Sequence, residues 1–159
     1  SKVKAIVEGG KERYHSVFEG LKQTSDADYV LIHDGARPFV NQDIIRRCMQ
    51  EVQKYQACVV GMPVKDTIKI ADEEGYAKQT PDRKNVWMIQ TPQTFSYALI
   101  YEAYEEMLKT EDTAITDDAM VLERIKGKKS KLIEGSYRNI KITTPEDLLI
   151  ANVYLQHPE

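Results

Sequence analysis

Hydrophobic positions fall into short runs separated by glycine, proline and charged turns, and the period of each run predicts its element. Val3 to Val7 alternates apolar and charged residues as a short strand does, Gly9-Gly10 interrupts it, and a helical stretch follows from about Glu12 to Lys22. Tyr29 to Ile32 is a continuous apolar run of the kind a parallel strand buried on both faces requires, and it ends in His33-Asp34-Gly35-Ala36-Arg37-Pro38. Asn41 stands where a helix cap is favoured, and Ile44, Ile45, Cys48, Met49 and Val52 keep the helical period up to Tyr55. Ala57 to Met62 predicts a third buried strand. From Lys65 the pattern becomes an alternation through Ile70, a turn at Asp72-Glu73-Glu74-Gly75 and a return over Tyr76 to Thr80, which predicts a protruding hairpin. Val86 to Ile89 reads as a strand, Tyr97 to Lys109 and Thr116 to Ile125 as helices, and Leu132-Ile133 and Ile140-Lys141-Ile142 as short strands. Pro145 opens a final amphipathic helix at its favoured first turn.

Three strand-to-helix units in succession argue for an α/β fold with a doubly wound, mostly parallel sheet of Rossmann-like type, whose ligands bind beyond the carboxyl ends of the strands. The 159 residues, 42% of them hydrophobic, suffice for one core, and one domain over 1–159 is expected. The 22 basic and 25 acidic side chains leave a formal net charge of −3, so the chain offers no general field for nucleic acid, and a polyanionic partner must be small. Cys48 and Cys58 lack paired metal-ligand spacing and read as reduced core thiols of a cytosolic protein. No apolar run approaches the roughly 20 residues that cross a bilayer, and the first residues do not resemble a secretory signal; a cytoplasmic protein with no membrane partner is expected. The chain has no initiating Met and enters a strand pattern at once, as though an upstream portion had been removed.

The polar cluster His33 to Pro38 puts a carboxylate, a glycine and a guanidinium at one strand end. Asp34 there can hold Mg²⁺, Arg37 can grip phosphate oxygens through two parallel hydrogen bonds, and Gly35 lets a ligand approach the backbone; a strand-ending turn with an Asp-Arg surface pair would give the same residues. Gly9-Gly10-Lys11-Glu12-Arg13-Tyr14-His15-Ser16 is a glycine turn leading into a helix, whose exposed amides could receive a base edge or an anion, or which is a plain turn with solvated cations. Thr67, in Lys65-Asp66-Thr67, and Thr91, in Thr91-Pro92-Gln93, each follow a strand and could turn a hydroxyl toward a polyol or phosphate, though both triplets are also ordinary turn formers. Asp117-Asp118 could bind a second metal, but a helix's first turn favours negative charge, and that reading is preferred. Lys141, isolated between Ile140 and Ile142, has few structural reasons to be there unless its ammonium points into a site, although an exposed face of an edge strand would also accommodate it. Together these parts suit nucleotidyl transfer, in which metal, Lys and Arg stabilise an anionic transition state and no protein nucleophile is needed.

The ordered set Gly9-Gly10…Arg13…Ser16-Val17, His33-Asp34-Gly35-Ala36-Arg37-Pro38-Phe39, Lys65-Asp66-Thr67-Ile68-Lys69, Thr91-Pro92-Gln93-Thr94-Phe95, Ile115-Thr116-Asp117-Asp118-Ala119 and Asn139-Ile140-Lys141-Ile142-Thr143 strongly resembles the 2-C-methyl-D-erythritol 4-phosphate cytidylyltransferases of non-mevalonate isoprenoid biosynthesis. The resemblance covers essentially the whole chain. It implies that Gly10 and Ser16, with Arg13 nearby, line the cytosine and ribose site of CTP, and that Asp34 holds Mg²⁺ near the triphosphate. Arg37, Thr67, Thr91 and Lys141 would bind the methylerythritol phosphate, with Lys141 also stabilising the transition state. Arg83 matches an arginine that reaches the substrate phosphate of the other subunit, and the hairpin from about Thr67 to Thr80 matches an arm that clasps a homodimer. Family members carry a further strand and a glycine-rich, phosphate-wrapping loop with an Arg and a Lys before the segment equivalent to Val3, so the 159-residue chain alone is expected to turn over negligibly. Two alternatives stand beside this reading. A ribitol 5-phosphate cytidylyltransferase would use the same Asp, Arg and Lys, although Lys65 to Lys69 and Gly135 to Asn139 resemble the methylerythritol enzymes more. A non-catalytic dimerisation or binding module would keep the arm alone.

Overall fold

The computed structural model describes residues 2–110 and 114–157. Glu12 opens α1 (Arg13–Lys22) with a reciprocal cap, its side chain accepting from the His15 amide while His15 Nδ1 accepts from the Glu12 amide at 3.3 Å. Strand β1 (Tyr29–Ile32) leads through the His33 to Pro38 turn to α2 (Gln42–Tyr55), whose start is fixed by Asn41 accepting from the Ile44 amide at 3.0 Å. Strand β2 (Ala57–Pro63), a hairpin of β3 (Ile70–Ala71) and β4 (Ala77–Gln79), and a 3₁₀ turn at Arg83–Asn85 come next. They precede β5 (Trp87–Ser96), α3 (Tyr97–Met107), α4 (Asp118–Lys126), β6 (Lys131–Glu134) and α5 (Pro145–Gln156).

The main sheet has the order β1-β5-β2-β6. Strand β5 runs antiparallel to β1 and β2, and β6 runs parallel to β2, so three of the four strands point the same way around one reversed strand. Residues of β2 alternate between two cores, as the pleat dictates. Ala57 and Val59, with Val30 and Phe95, pack under α1, α3 and α4, where Leu21, Ile100, Tyr104, Met107 and Leu122 are buried. Cys58 and Val60 pack with Ile133 against Ile44, Cys48 and Val52 of α2. Helices thus cover both faces, and each buried Val, Ile or Leu contributes about 1.5–3 kcal/mol. Both cysteines are free and buried within the second core.

Three expectations need correction. The alternating segment Val3 to Val7 forms no strand and leaves Ile6 93% exposed: alternation makes a strand only where a ladder partner takes up the backbone groups. Ile140 to Ile142 is extended chain tied to the site by one backbone bond, Ile142 N–H to the Ala36 carbonyl at 2.8 Å, and has no ladder. The strand expected over Val86 to Ile89 continues to Ser96, because Thr94 and Phe95 pair with both β1 and β2, and β1 consequently has an antiparallel neighbour. A hairpin forms around the expected turn, but its strands are shorter than the alternation from Lys65 and the return to Thr80 predicted; all five of their residues are exposed, and Gly75 at φ 89° closes the turn. Among the described residues no helix is long and apolar enough to cross a membrane.

Candidate active site

Asp34 lies just past the end of β1, and its position is fixed from the backbone outward. Its amide donates to Thr91 Oγ1 at 3.0 Å, and the same hydroxyl lies 2.9 Å from His33 Nδ1. His33 Nε2 is 3.0 Å from the Arg37 carbonyl, which can only accept, so this nitrogen carries a proton and donates it there. Thr91 is itself held where the sheet register breaks: between the pairs Val59–Gln93 and Gly61–Ile89, β5 supplies Gln90, Thr91 and Pro92 against Val60 alone. The buried Asn139 braces this bulge, donating to the Thr91 carbonyl at 2.8 Å and to Gln90 Oε1 at 3.3 Å.

Three cations converge on the Asp34 carboxylate. Lys141 Nζ is 3.2 Å and Arg37 Nε 3.6 Å from Oδ2, and Arg13 Nε is 3.4 Å from Oδ1. Lys141 is brought there by the Ile142–Ala36 bond and by Arg37 Nη1, which donates to the Asn139 carbonyl at 2.7 Å. Arg37 Nε is buried, and the Asp34 carboxylate at 3.6 Å is its charged neighbour, just beyond hydrogen-bond length. Burial pushes the Asp34 carboxyl up, but the hydrogen bond from Lys141 and the charges of Arg13 and Lys141 outweigh it and hold it below the usual carboxylate value. Burial depresses the Arg37 guanidinium against the pull of Asp34.

These groups line a cavity of about 260 Å³ together with Gln90, Gln93, Thr116 and Asp117. A larger groove of about 640 Å³ adjoins it between α1 and β1, sharing Arg13 and Asp34 and including Ser16 and Gly35. A Cβ on Gly35 would project into open space, so this glycine keeps the groove wide without being required by the fold. Gly10 is different: a Cβ there would lie 2.3 Å from the His15 Cβ, and its amide donates to Ser16 Oγ at 3.0 Å.

The structure therefore brings together Asp34, Arg37, Thr91, Lys141 and Arg13, with Ser16 and Gly35 along the adjoining groove, while Gly10 stands behind Ser16, to which it is hydrogen-bonded, and does not line the groove itself. Thr67 and Arg83 stand outside both, at the foot of the hairpin, where Arg83 Nη1 donates to the Lys65 carbonyl at 3.1 Å. Other groups at the site had no site role in the sequence, among them Gln90 and Gln93 on the cavity wall. Thr116 lines the cavity, and Asp118, read as a helix-dipole residue, is fully buried and pairs with Arg13. Its helical spacing from Val121 and Leu122, both buried, was the available signal that Asp118 faces inward.

The chain was compared with known proteins on this footing. The sequence profile of the 2-C-methyl-D-erythritol 4-phosphate cytidylyltransferase family matches residues 1–157. The cytidylyltransferase of that name from Lachnospira eligens is 54% identical over 157 residues, which are 98% of this chain and 69% of the relative. The one from Alkaliphilus oremlandii is 53% identical over 156 residues, 98% of this chain and 65% of the relative. The chain thus spans about two thirds of the length of the curated relatives it matches. Among solved structures, 4-diphosphocytidyl-2C-methyl-D-erythritol synthase from Anaerococcus prevotii superposes with a TM-score of 0.89 at 42% identity, covering 95% of this chain and 67% of that one. The cytidylyltransferase from Thermus thermophilus gives 0.84 at 35% identity, covering 94% and 72%. With a matching profile, relatives above half identity and the same fold, the chain belongs to the 2-C-methyl-D-erythritol 4-phosphate cytidylyltransferase family, nucleotidyltransferase enzymes of isoprenoid biosynthesis.

Proposed function

We propose that this site takes CTP and 2-C-methyl-D-erythritol 4-phosphate and serves the transfer of the cytidylyl group to the polyol phosphate. An oxygen of the polyol phosphate forms a bond to the α-phosphorus of CTP, the bond from that phosphorus to the bridging oxygen breaks, and its electron pair leaves with pyrophosphate. The observation that carries the reading is the meeting of Arg37 and Lys141 at the Asp34 carboxylate, on the wall of the smaller cavity. Arg37, whose guanidinium lines the cavity beside Asp34, and Lys141, 43% exposed, receive the acceptor phosphate and hold it as negative charge redistributes. Thr91 acts on the same wall by fixing the Asp34 backbone. Arg13, Ser16 and Gly35 border the groove that suits the nucleotide, and the Gly10 amide holds the Ser16 hydroxyl in place.

Asp34, on the cavity wall, would hold a magnesium ion bound chiefly through phosphate oxygens, since such an ion needs only one or two carboxylates, with Arg13, Arg37 and Lys141 beside it turning to the same phosphates. When bound, magnesium neutralises charge on the phosphate oxygens. The exposed hairpin, on which Ile70 and Tyr76 are 45% and 70% exposed, is the arm for a homodimer; Thr67 and Arg83 at its foot would then act from that side, Arg83 on the second subunit's substrate phosphate. A cytoplasmic setting goes with this reading.

Calorimetric titration of the chain, with CTP and magnesium present, tests it. Methylerythritol phosphate should saturate the site at least tenfold more tightly than ribitol 5-phosphate. A preference for ribitol 5-phosphate selects that alternative, and binding of neither rejects the transferase site.

A further inference from the structure

Arg13 is held far more firmly than its contact with Asp34 requires. Its Nη1 and Nη2 donate to Asp118 Oδ1 and Oδ2 at 2.9 and 2.8 Å, a two-pronged pair. Asp118 Oδ1 also accepts from Tyr104 Oη at 2.6 Å, and both Asp118 and Tyr104 are fully buried. Three elements thus meet at one carboxylate: α1 supplies the arginine, α3 the tyrosine and α4 the aspartate. The first turn of α4 is pinned in turn by Gln93 of β5, which accepts from the Ala119 amide at 2.9 Å and donates to Asp117 Oδ2 at 3.0 Å.

A buried carboxylate is a poor device for stability alone, because its desolvation offsets most of the attraction and an apolar triad of the same volume would serve the packing as well. The geometry has a different product. A guanidinium has five N–H donors in a rigid plane, and Asp118 takes two of them from the far end. Nε–H is left toward Asp34 at 3.4 Å, and two further donors remain on the side chain that borders both the nucleotide groove and the acceptor cavity. Burial opposes the charge on Arg13, but the hydrogen bonds and charge of Asp118, with the charge of Asp34, raise its pKa above the ordinary arginine value.

We infer that Asp118 is a positioning residue for nucleotide binding, which, braced by Tyr104, fixes the plane of the Arg13 guanidinium so that its remaining donors face the ligand. The nucleotide in this statement rests on the function proposed above, whereas the fixing of Arg13 does not.

Two variants and two readouts test it. Asp118→Asn keeps the shape of the side chain and removes its charge; Tyr104→Phe removes only one hydroxyl and preserves the core if the first variant folds poorly. Hydrogen exchange at the Arg13 Nε–H, followed by NMR, should quicken about tenfold or more in Asp118→Asn and by a smaller factor in Tyr104→Phe. The dissociation constant for CTP with magnesium should rise about tenfold in Asp118→Asn, and that for methylerythritol phosphate by a clearly smaller factor, since Arg13 also touches the acceptor cavity. Unchanged Arg13 exchange in both variants overturns the inference, and so does an equal weakening of both ligands, which would mean general loosening. If the unaltered chain shows no saturable CTP binding while Arg13 exchange still responds, the nucleotide reading fails and the fixing of Arg13 stands.

Discussion

Asp34 has cations within 3.6 Å of both its oxygens, and this crowding determines how the site responds to acid. Because its folded-state pKa lies below the usual carboxylate value, the unfolded chain binds the proton first as pH falls. The stability Asp34 contributes is therefore fully present above about pH 4 and is lost as pH drops through the folded value. Asp34→Asn should accordingly lower the thermal midpoint at pH 7, where Arg37 and Lys141 lose their shared counter-charge, and the gap to the unaltered chain should close below about pH 4. Asp147, also held below the usual carboxylate value by the Thr143 and Thr144 amides, titrates in both proteins and cancels from the comparison. A gap that stays constant from pH 7 to pH 3 would show that the carboxylate's charge is not what Asn removes. Lys141 was legible in the sequence because a charged residue isolated between Ile140 and Ile142 has few structural reasons to be there, and Asp34 and Arg37 because a carboxylate, a glycine and a guanidinium share one turn after a strand. Asp118 was not, since a first-turn aspartate satisfies the helix dipole equally well whether it faces water or Arg13.

At the scale of elements, legibility followed how much of each element's stability is local. Helices α2 and α5 are set by caps written in the chain, Asn41 in one case and Thr144-Pro145 with Asp147 in the other, and their starts are plain from the residues alone. Strands depend on partners. Val3 to Val7 has the right alternation and no ladder, and β5 runs through the proline at position 92 because both its neighbours bond to the residues beyond it. The approach to α1 is intermediate, with glycines visible in the sequence and a reason visible only in space. Gly10→Ala would put a methyl group 2.3 Å from the His15 Cβ and disturb the Glu12–His15 cap. We expect a loss of about 1 kcal/mol in denaturant unfolding, with faster amide exchange confined to the first turn of α1. An unchanged unfolding midpoint would mean that the turn relaxes without engaging the cap.

For the molecule as a whole, the fold brings residues from distant parts of the chain to one wall. Asp34 and Arg37 come from the β1 turn, Thr91 from the β5 bulge and Lys141 from the extended segment before α5, while Arg13 arrives on α1 and is locked from α4. Family membership says what chemistry such a wall serves, and the open question is whether these side chains grip the acceptor phosphate. The direct measurement is the ³¹P NMR signal of 2-C-methyl-D-erythritol 4-phosphate titrated with the chain in the presence of CTP and magnesium, for the unaltered protein and for Lys141→Ala. The account predicts a saturable shift in the unaltered protein and a dissociation constant more than about tenfold higher in the variant. The thermal midpoint should change by no more than about 2–4 °C, because an ion pair from a side chain this exposed contributes about 0–1 kcal/mol. A variant that binds the polyol phosphate as tightly as the unaltered chain would contradict the assignment of the acceptor phosphate to Lys141 and the Asp34 wall.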